Sequence, residues 1–209
     1  MTSYLVPMGE GRSELTEKRS RFIGCVRPVA TEEEARAMIA EKRAEYHDAR
    51  HNCWCYLLHE GGVERYSDDG EPQGTAGQPM LDVFRRPGIQ NVCCVVTRYF
   101  GGVLLGPGGL VRAYTAAAKD ALAAAELGRA CLWTTLSVPC PYALFERVRL
   151  ELTAFGGIAE NVDYGAAVTI LAALPQEQAE PFCARLTELS GGGIAPARLE
   201  DAFRVLPQS

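Results

Sequence analysis

Apolar and polar positions alternate from Arg21 to Val29 (RFIGCVRPV), a period of two that predicts a strand. Thr31 followed by Glu34 reads as a capping box. Ala35, Met38, Ile39 and Tyr46 then line one face of a helix ending near Tyr46. Asn52 to His59 (NCWCYLLH) predicts a buried strand, Glu60-Gly61-Gly62 a hairpin turn, and Val63 to Tyr66 the partner strand. Ser67 to Gln78 is turn chemistry throughout, rich in Asp, Gly and Pro. A short helix follows from Met80 to Arg86, stopped by Pro87-Gly88. Asn91 to Tyr99 (NVCCVVTRY) is apolar at both parities, which places it at the centre of a sheet. Glycines at 101, 102, 106, 108 and 109 then precede an Ala-rich helix from about Leu110 to Glu126.

From Cys131 the pattern changes to strand (131–140), helix (142–155), strand (157–163), strand (166–174), helix (176–190) and strand (196–205). Gly156-Gly157 and Gly191 to Gly193 supply the helix stops. This βαββαβ order is the split unit of ferredoxin-like domains, so the fold class is α+β with two domains, 1–130 and 131–209, cut near Gly128 to Ala130. Charge divides unevenly at the cut. Residues 1–130 hold 16 Lys+Arg against 17 Asp+Glu, and residues 131–209 hold 5 against 9, which together give the net −5. An anionic partner therefore belongs to the first domain.

That net charge excludes binding nucleic acid by bulk electrostatics alone, while leaving room for a local basic patch. No apolar run is long enough for a membrane span, and Met1 to Arg12 lacks the pattern of a secretory signal, so a cytoplasmic location is expected. The eight cysteines form no C-x-x-C pair and sit mostly in strand-like apolar runs, where they are expected to be reduced.

The chemistry concentrates in three segments: DARHNC (48–53), SDDGEPQGTAGQP (67–79) and VTRYFGGVLLGPGGLVRAY (96–114). Gly106, Gly108 and Gly109 open a helix whose positive end suits a phosphate, and Arg50, Arg98 and Arg112 would add fixed charge. The same glycines equally suit tight strand-to-helix packing. Neither a Walker A loop nor a G-x-G-x-x-G fingerprint is present, so no nucleotide cofactor is expected. Asp68, Asp69 and Glu71 suit a Mg²⁺–phosphate site or, alternatively, a self-bonded turn, with Glu71 aimed at Arg98 or Arg112. His47, His51, Cys53 and Cys55 have zinc-ligand chemistry at a spacing matching no structural zinc pattern, and core thiols are the preferred reading. No nucleophile elbow and no set of acid, base and nucleophile assembles, so a non-enzyme is expected.

These three segments resemble the signature of the YigZ/Impact family, DDGEP-x-GTAG-x-P followed by TRYFGG-x-x-LG-x-GGL-x-RAY, and the resemblance extends over nearly the whole chain. It implies a first domain of the βα type found in a small-subunit ribosomal protein and in the fourth domain of the translocating elongation factor. It implies a second domain like that factor's ferredoxin-like end. The eukaryotic relative restrains the amino-acid-starvation kinase pathway, partly through a separate N-terminal module for which this sequence has no segment, so a looser link to translation is what carries over. Three functions follow as expectations: a regulator bound to RNA or the ribosome, a protein-interaction module free of nucleic acid, and an enzyme on a phosphorylated small molecule with a divalent metal.

Overall fold

The structure, a computed structural model, describes residues 3–207. They form two compact units, residues 3–129 with 205–207, and residues 130–204.

In the first unit five strands make one antiparallel sheet in the order β2 (Gly11–Glu17), β3 (Ser20–Pro28), β6 (Val92–Tyr99), β4 (His51–Leu58), β5 (Val63–Ser67). The doubly apolar run falls at the centre, as its pattern requires. Val92, Cys94 and Val96 face α2 (Gly77–Arg85) and α3 (Pro107–Ala124), whereas Cys93 and Val95 face α1 (Glu32–Glu45). The sheet is thus covered on both faces. Half of the capping box at α1 forms: Thr31 Oγ1 accepts from the Glu34 N–H at 3.2 Å, while Glu34 Oε2 reaches one residue past the cap, to the Ala30 N–H at 2.6 Å.

Two strands here carry no clear periodic signal. β1 (Ser3–Pro7) is short, and β2 pairs with β3 through a turn in which Lys18 and Arg19 both adopt positive φ, a geometry usually announced by Asn-Gly. The boundary segment also differs from a linker. β7 (Leu127–Cys140) starts earlier than its apolar run and continues through Gly128 to Ala130 without a loop. A Cβ on Gly128 would lie 2.6 Å from Val205 Cγ1, so this glycine permits close packing.

In the second unit β7, α4 (Phe145–Ala154), β8 (Ile158–Tyr164), β9 (Val168–Pro175), α5 (Gln176–Ser190) and β10 (Ala197–Pro207) follow in βαββαβ order, with strands arranged β8-β9-β7-β10. Leu136, Val138, Ile170 and Leu174 form its core with Val148, Leu152, Phe182 and Leu186 of the helices.

All eight cysteines are free thiols, and burial pushes the Cys25 thiol up to about 12. Among the described residues no helix is long and apolar enough to cross a membrane.

α3 approaches the sheet closely because both surfaces are small there. A Cβ on Gly24 would stand 2.6 Å from the Ala117 carbonyl oxygen, and Ser13 Oγ donates to that same oxygen at 2.7 Å. Gly24→Ala is therefore expected to destabilise the protein by about 1–3 kcal/mol through overpacking. Gly108→Ala, whose new methyl would meet only Arg112 Nη1 at 3.8 Å, should be neutral or gain up to about 1 kcal/mol of helix stability. Denaturant titration of the two variants measures both.

Candidate functional site

The glycine-rich loop, the acidic turn and the end of the central strand meet beneath the start of α3. Arg98 continues the parity of Val92, Cys94 and Val96 on β6, so its side chain enters the α3 side of the sheet. Register sets it between Phe22 of β3 and His51 of β4. It is 5% exposed.

There Arg98 Nη1 donates to Glu71 Oε1 at 2.7 Å, and the Tyr114 hydroxyl donates to the same oxygen at 2.8 Å. Arg98 Nη2 reaches Ser20 Oγ at 3.3 Å, and Ser20 Oγ also accepts the Gly101 N–H at 3.2 Å. The guanidinium lies 5.5 Å from the ring centroids of Phe22 and Phe100, within cation–π range. Its Nε is buried without a hydrogen-bond partner. Burial above all, then the neighbouring Cys53 and Glu71, pushes the Tyr114 phenol far above its ordinary value, so it stays a donor. Arg98 is thus held inside the fold by Glu71, the pairing that competes with a direct phosphate contact.

The acidic residues of the turn point to three different places. Asp68 accepts the N–H groups of Gly74, Ala76 and Gly77 at 2.8–3.0 Å, holding the start of α2. Asp69, at φ 43°, accepts the Asn52 N–H at 2.7 Å and Arg43 Nη2 at 2.6 Å. Glu71 turns to Arg98 and Tyr114. The self-bonded turn describes Asp68 alone, since the Asp69 carboxylate reaches out to β4 and α1, and among the described residues the three carboxylates do not converge as a metal site would need. His51 Nδ1–H donates to the Asp69 carbonyl at 2.8 Å, and the Cys53 thiol donates to the Asp68 carbonyl at 2.9 Å, so these two side chains tie β4 to the turn.

α3 begins at Pro107, a turn earlier than its apolar pattern predicts. Gly106 is its N-cap at φ 73°, and the first helical bond is Leu110 N–H to Gly106 O at 3.0 Å. Pro at the first position is the usual signal for such a start. Pro107 has no N–H, and those of Gly108 and Gly109 lie ahead of the first helical bond, at the positive end of an 18-residue helix. Gly109 is required by packing, since a Cβ there would stand 2.9 Å from Leu105 Cβ.

A pocket of about 380 Å³ opens at this helix end, lined by Arg50, His51, Glu71, Arg98, Phe100 and Gly106, among others. Arg50 is exposed at its rim, and Arg112 is exposed on α3 just beyond Gly108. Among the described residues neither arginine pairs with a carboxylate. The structure therefore gathers Arg50, Arg98, Gly106, Gly108, Gly109 and Arg112 in one region, with only Arg98 internally neutralised. Tyr114 and Ser20 escaped the sequence reading. Tyr114 shares a helical face with Leu110, Ala113 and Ala117, which signals burial but not its hydrogen bond.

Arg98→Ala should strand the Glu71 carboxylate and cost about 3–5 kcal/mol of stability. Glu71→Gln, which keeps an acceptor for Tyr114, should cost less. Thermal melts of the two variants check the order.

The N-terminal part of the chain, residues 18–122, matches the model of the Impact N-terminal domain, and residues 138–192 match a domain of unknown function, DUF1949. IMPACT family member YigZ of Escherichia coli is 35% identical over 204 residues, 96% of this chain and 100% of that one. IMPACT family member YvyE of Bacillus subtilis is 32% identical over 191 residues, 91% of this chain and 88% of its own. A solved structure titled as a hypothetical protein superposes with a TM-score of 0.62 at 35% identity, covering 96% of this chain and 98% of that chain. With matches of this length across both units and the signature pocket in place, the chain belongs to the IMPACT family.

Proposed function

We propose that this protein is a translation-associated regulator that binds RNA or the ribosome through the glycine-rich face of its first unit. The observation that carries the reading is the end of α3. Two exposed arginines without carboxylate partners, Arg50 and Arg112, flank backbone N–H groups at a helix N-terminus beside an open pocket. Phosphate oxygens accept from both kinds of donor, and the helix dipole adds to the attraction. Arg98 serves from behind, fixing Glu71 and the loop. The link to translation rests on the family resemblance.

A protein partner is the second reading, favoured by the loop at the pocket rim. Phe100, Val103 and Leu104 are 42%, 40% and 81% exposed there. Apolar side chains displayed together suit a protein surface. Salt separates the two readings, because phosphate contacts release counterions and weaken steeply as salt rises.

Ribosome co-sedimentation at two salt concentrations is the test. Arg50→Ala and Arg112→Ala should each weaken binding about 10- to 100-fold, as loss of a charge-assisted bond implies, with the melting temperature nearly unchanged. Arg147→Ala and Arg149→Ala, exposed on α4 of the second unit, serve as controls and should leave binding intact. Binding that is salt-insensitive and indifferent to Arg50 and Arg112 would favour the protein partner.

A further inference from the structure

The opposite face of the same sheet carries a groove of about 460 Å³ between α1 and the edge formed by β4 and β5. Its floor is aromatic. Trp54 and Tyr56, alternate residues of β4, lie on one face with ring centroids 5.6 Å apart and planes within 11° of parallel. Cross-strand register sets Arg65 of β5 opposite Tyr56. Helical periodicity brings Glu32, Arg36 and Arg43 of α1 to the other wall.

The polar groups here are committed unequally. The Tyr56 hydroxyl donates to Glu32 Oε2 at 2.6 Å, and Arg43 is held by Asp69 at 2.6 Å. Arg36 meets Glu32 only at 3.5 Å with its side chain 71% exposed, a contact of little strength. Arg65, also exposed, donates only to the carbonyl of its neighbour Glu64, at 2.9 Å. Arg36 and Arg65 therefore keep most of their donors free, one from each wall of a groove that also holds the half-buried indole. The groove carries three arginines against one carboxylate, and that carboxylate is already bonded.

A flat π-surface between two open guanidinium forks is complementary to a flat ring bearing an anionic oxygen cluster. A purely apolar ligand would leave the arginines unused, and a simple anion would leave the indole unused. We infer that this groove binds a nucleotide unit of single-stranded RNA, with its base on Trp54 and its phosphate held by Arg36 and Arg65. The site is separate from the pocket at the start of α3 and shares no residue with it.

The chain contains two tryptophans, Trp54 and Trp133, so the full-length Trp133→Phe variant reports on Trp54 alone. Titration with a five-nucleotide oligoadenylate should quench its emission saturably. AMP should quench at concentrations at least about 10-fold higher, and ribose 5-phosphate, which has no base to stack, should not quench. Arg36→Ala and Arg65→Ala should each raise the Kd for the oligomer about 10-fold. Arg147→Ala, on α4 of the second unit and outside both sites, should leave the Trp54 signal unchanged. Anisotropy of a labelled oligomer with the natural Trp133 chain, compared for Arg36→Ala and Arg65→Ala against Arg147→Ala, gives the answer without the tryptophan substitution. No saturable quenching, or saturable quenching untouched by Arg36→Ala and Arg65→Ala, overturns the assignment. AMP binding as tightly as the oligomer overturns the RNA half of it and leaves a free-nucleotide site.

Discussion

The first unit depends on one buried ion pair. Arg98 is the single charge carried inward by the central strand, and in an apolar core an unpaired guanidinium is costly. Glu71 meets it at 2.7 Å, Tyr114 bonds the same carboxylate, and Ser20 accepts from the guanidinium. Each partner arrives from a different place: the acidic turn, the long helix, and the start of β3. Satisfying one arginine therefore fixes the loop after β5, the rotation of α3 and the crossing of Gly101 over the β2–β3 turn. A Cβ on Gly101 would come within 2.0 Å of the Arg19 carbonyl carbon, so the crossing admits only glycine.

From that constraint the surface follows. With Glu71 drawn inward and Asp68 and Asp69 bonded to backbone, the turn presents few free carboxylate oxygens to the pocket. What faces outward is Arg50, Arg112 and the first N–H groups of α3. An acidic chain thus carries a local cationic surface, and its acidity is spent on internal bonds and on the second unit. The β4–β5 groove repeats the pattern, because Glu32 and Asp69 are occupied while Arg36 and Arg65 are open.

Much of this was legible. Period-two and period-3.6 patterns located β3, α1 and the βαββαβ half, and continuous apolar runs located β4 and β6, which are buried on both faces. The pairing of Glu71 with Arg98 was readable as an alternative to a metal–phosphate site. Tertiary effects hid the rest. β1 spans only five residues, too few to show a period, β2 is an edge strand whose polar residues mostly face solvent, and the Lys18-Arg19 turn lacks turn chemistry. α3 starts at Pro107 because Gly106 and Pro107 set the cap, whereas apolar periodicity begins only at Leu110. Gly128, at the predicted domain cut, serves close packing. The Trp54–Tyr56 groove was invisible because both aromatics read as ordinary strand residues, and only the fold sets arginines from α1 and β5 beside them.

The central claim is that the buried ion pair is architecture and that ligand is met by the groups outside it. Replacing the whole polar cluster by apolar residues of similar size, Arg98→Met, Glu71→Leu and Tyr114→Phe together, separates the two roles, since such replacements are often neutral or stabilising. Ribosome binding and melting temperature should be measured on the same triple variant. The account predicts a folded protein that binds within a few-fold of the unsubstituted chain. A variant of undiminished stability that loses binding about 10- to 100-fold would contradict it, because the Arg98 guanidinium would then be a ligand contact.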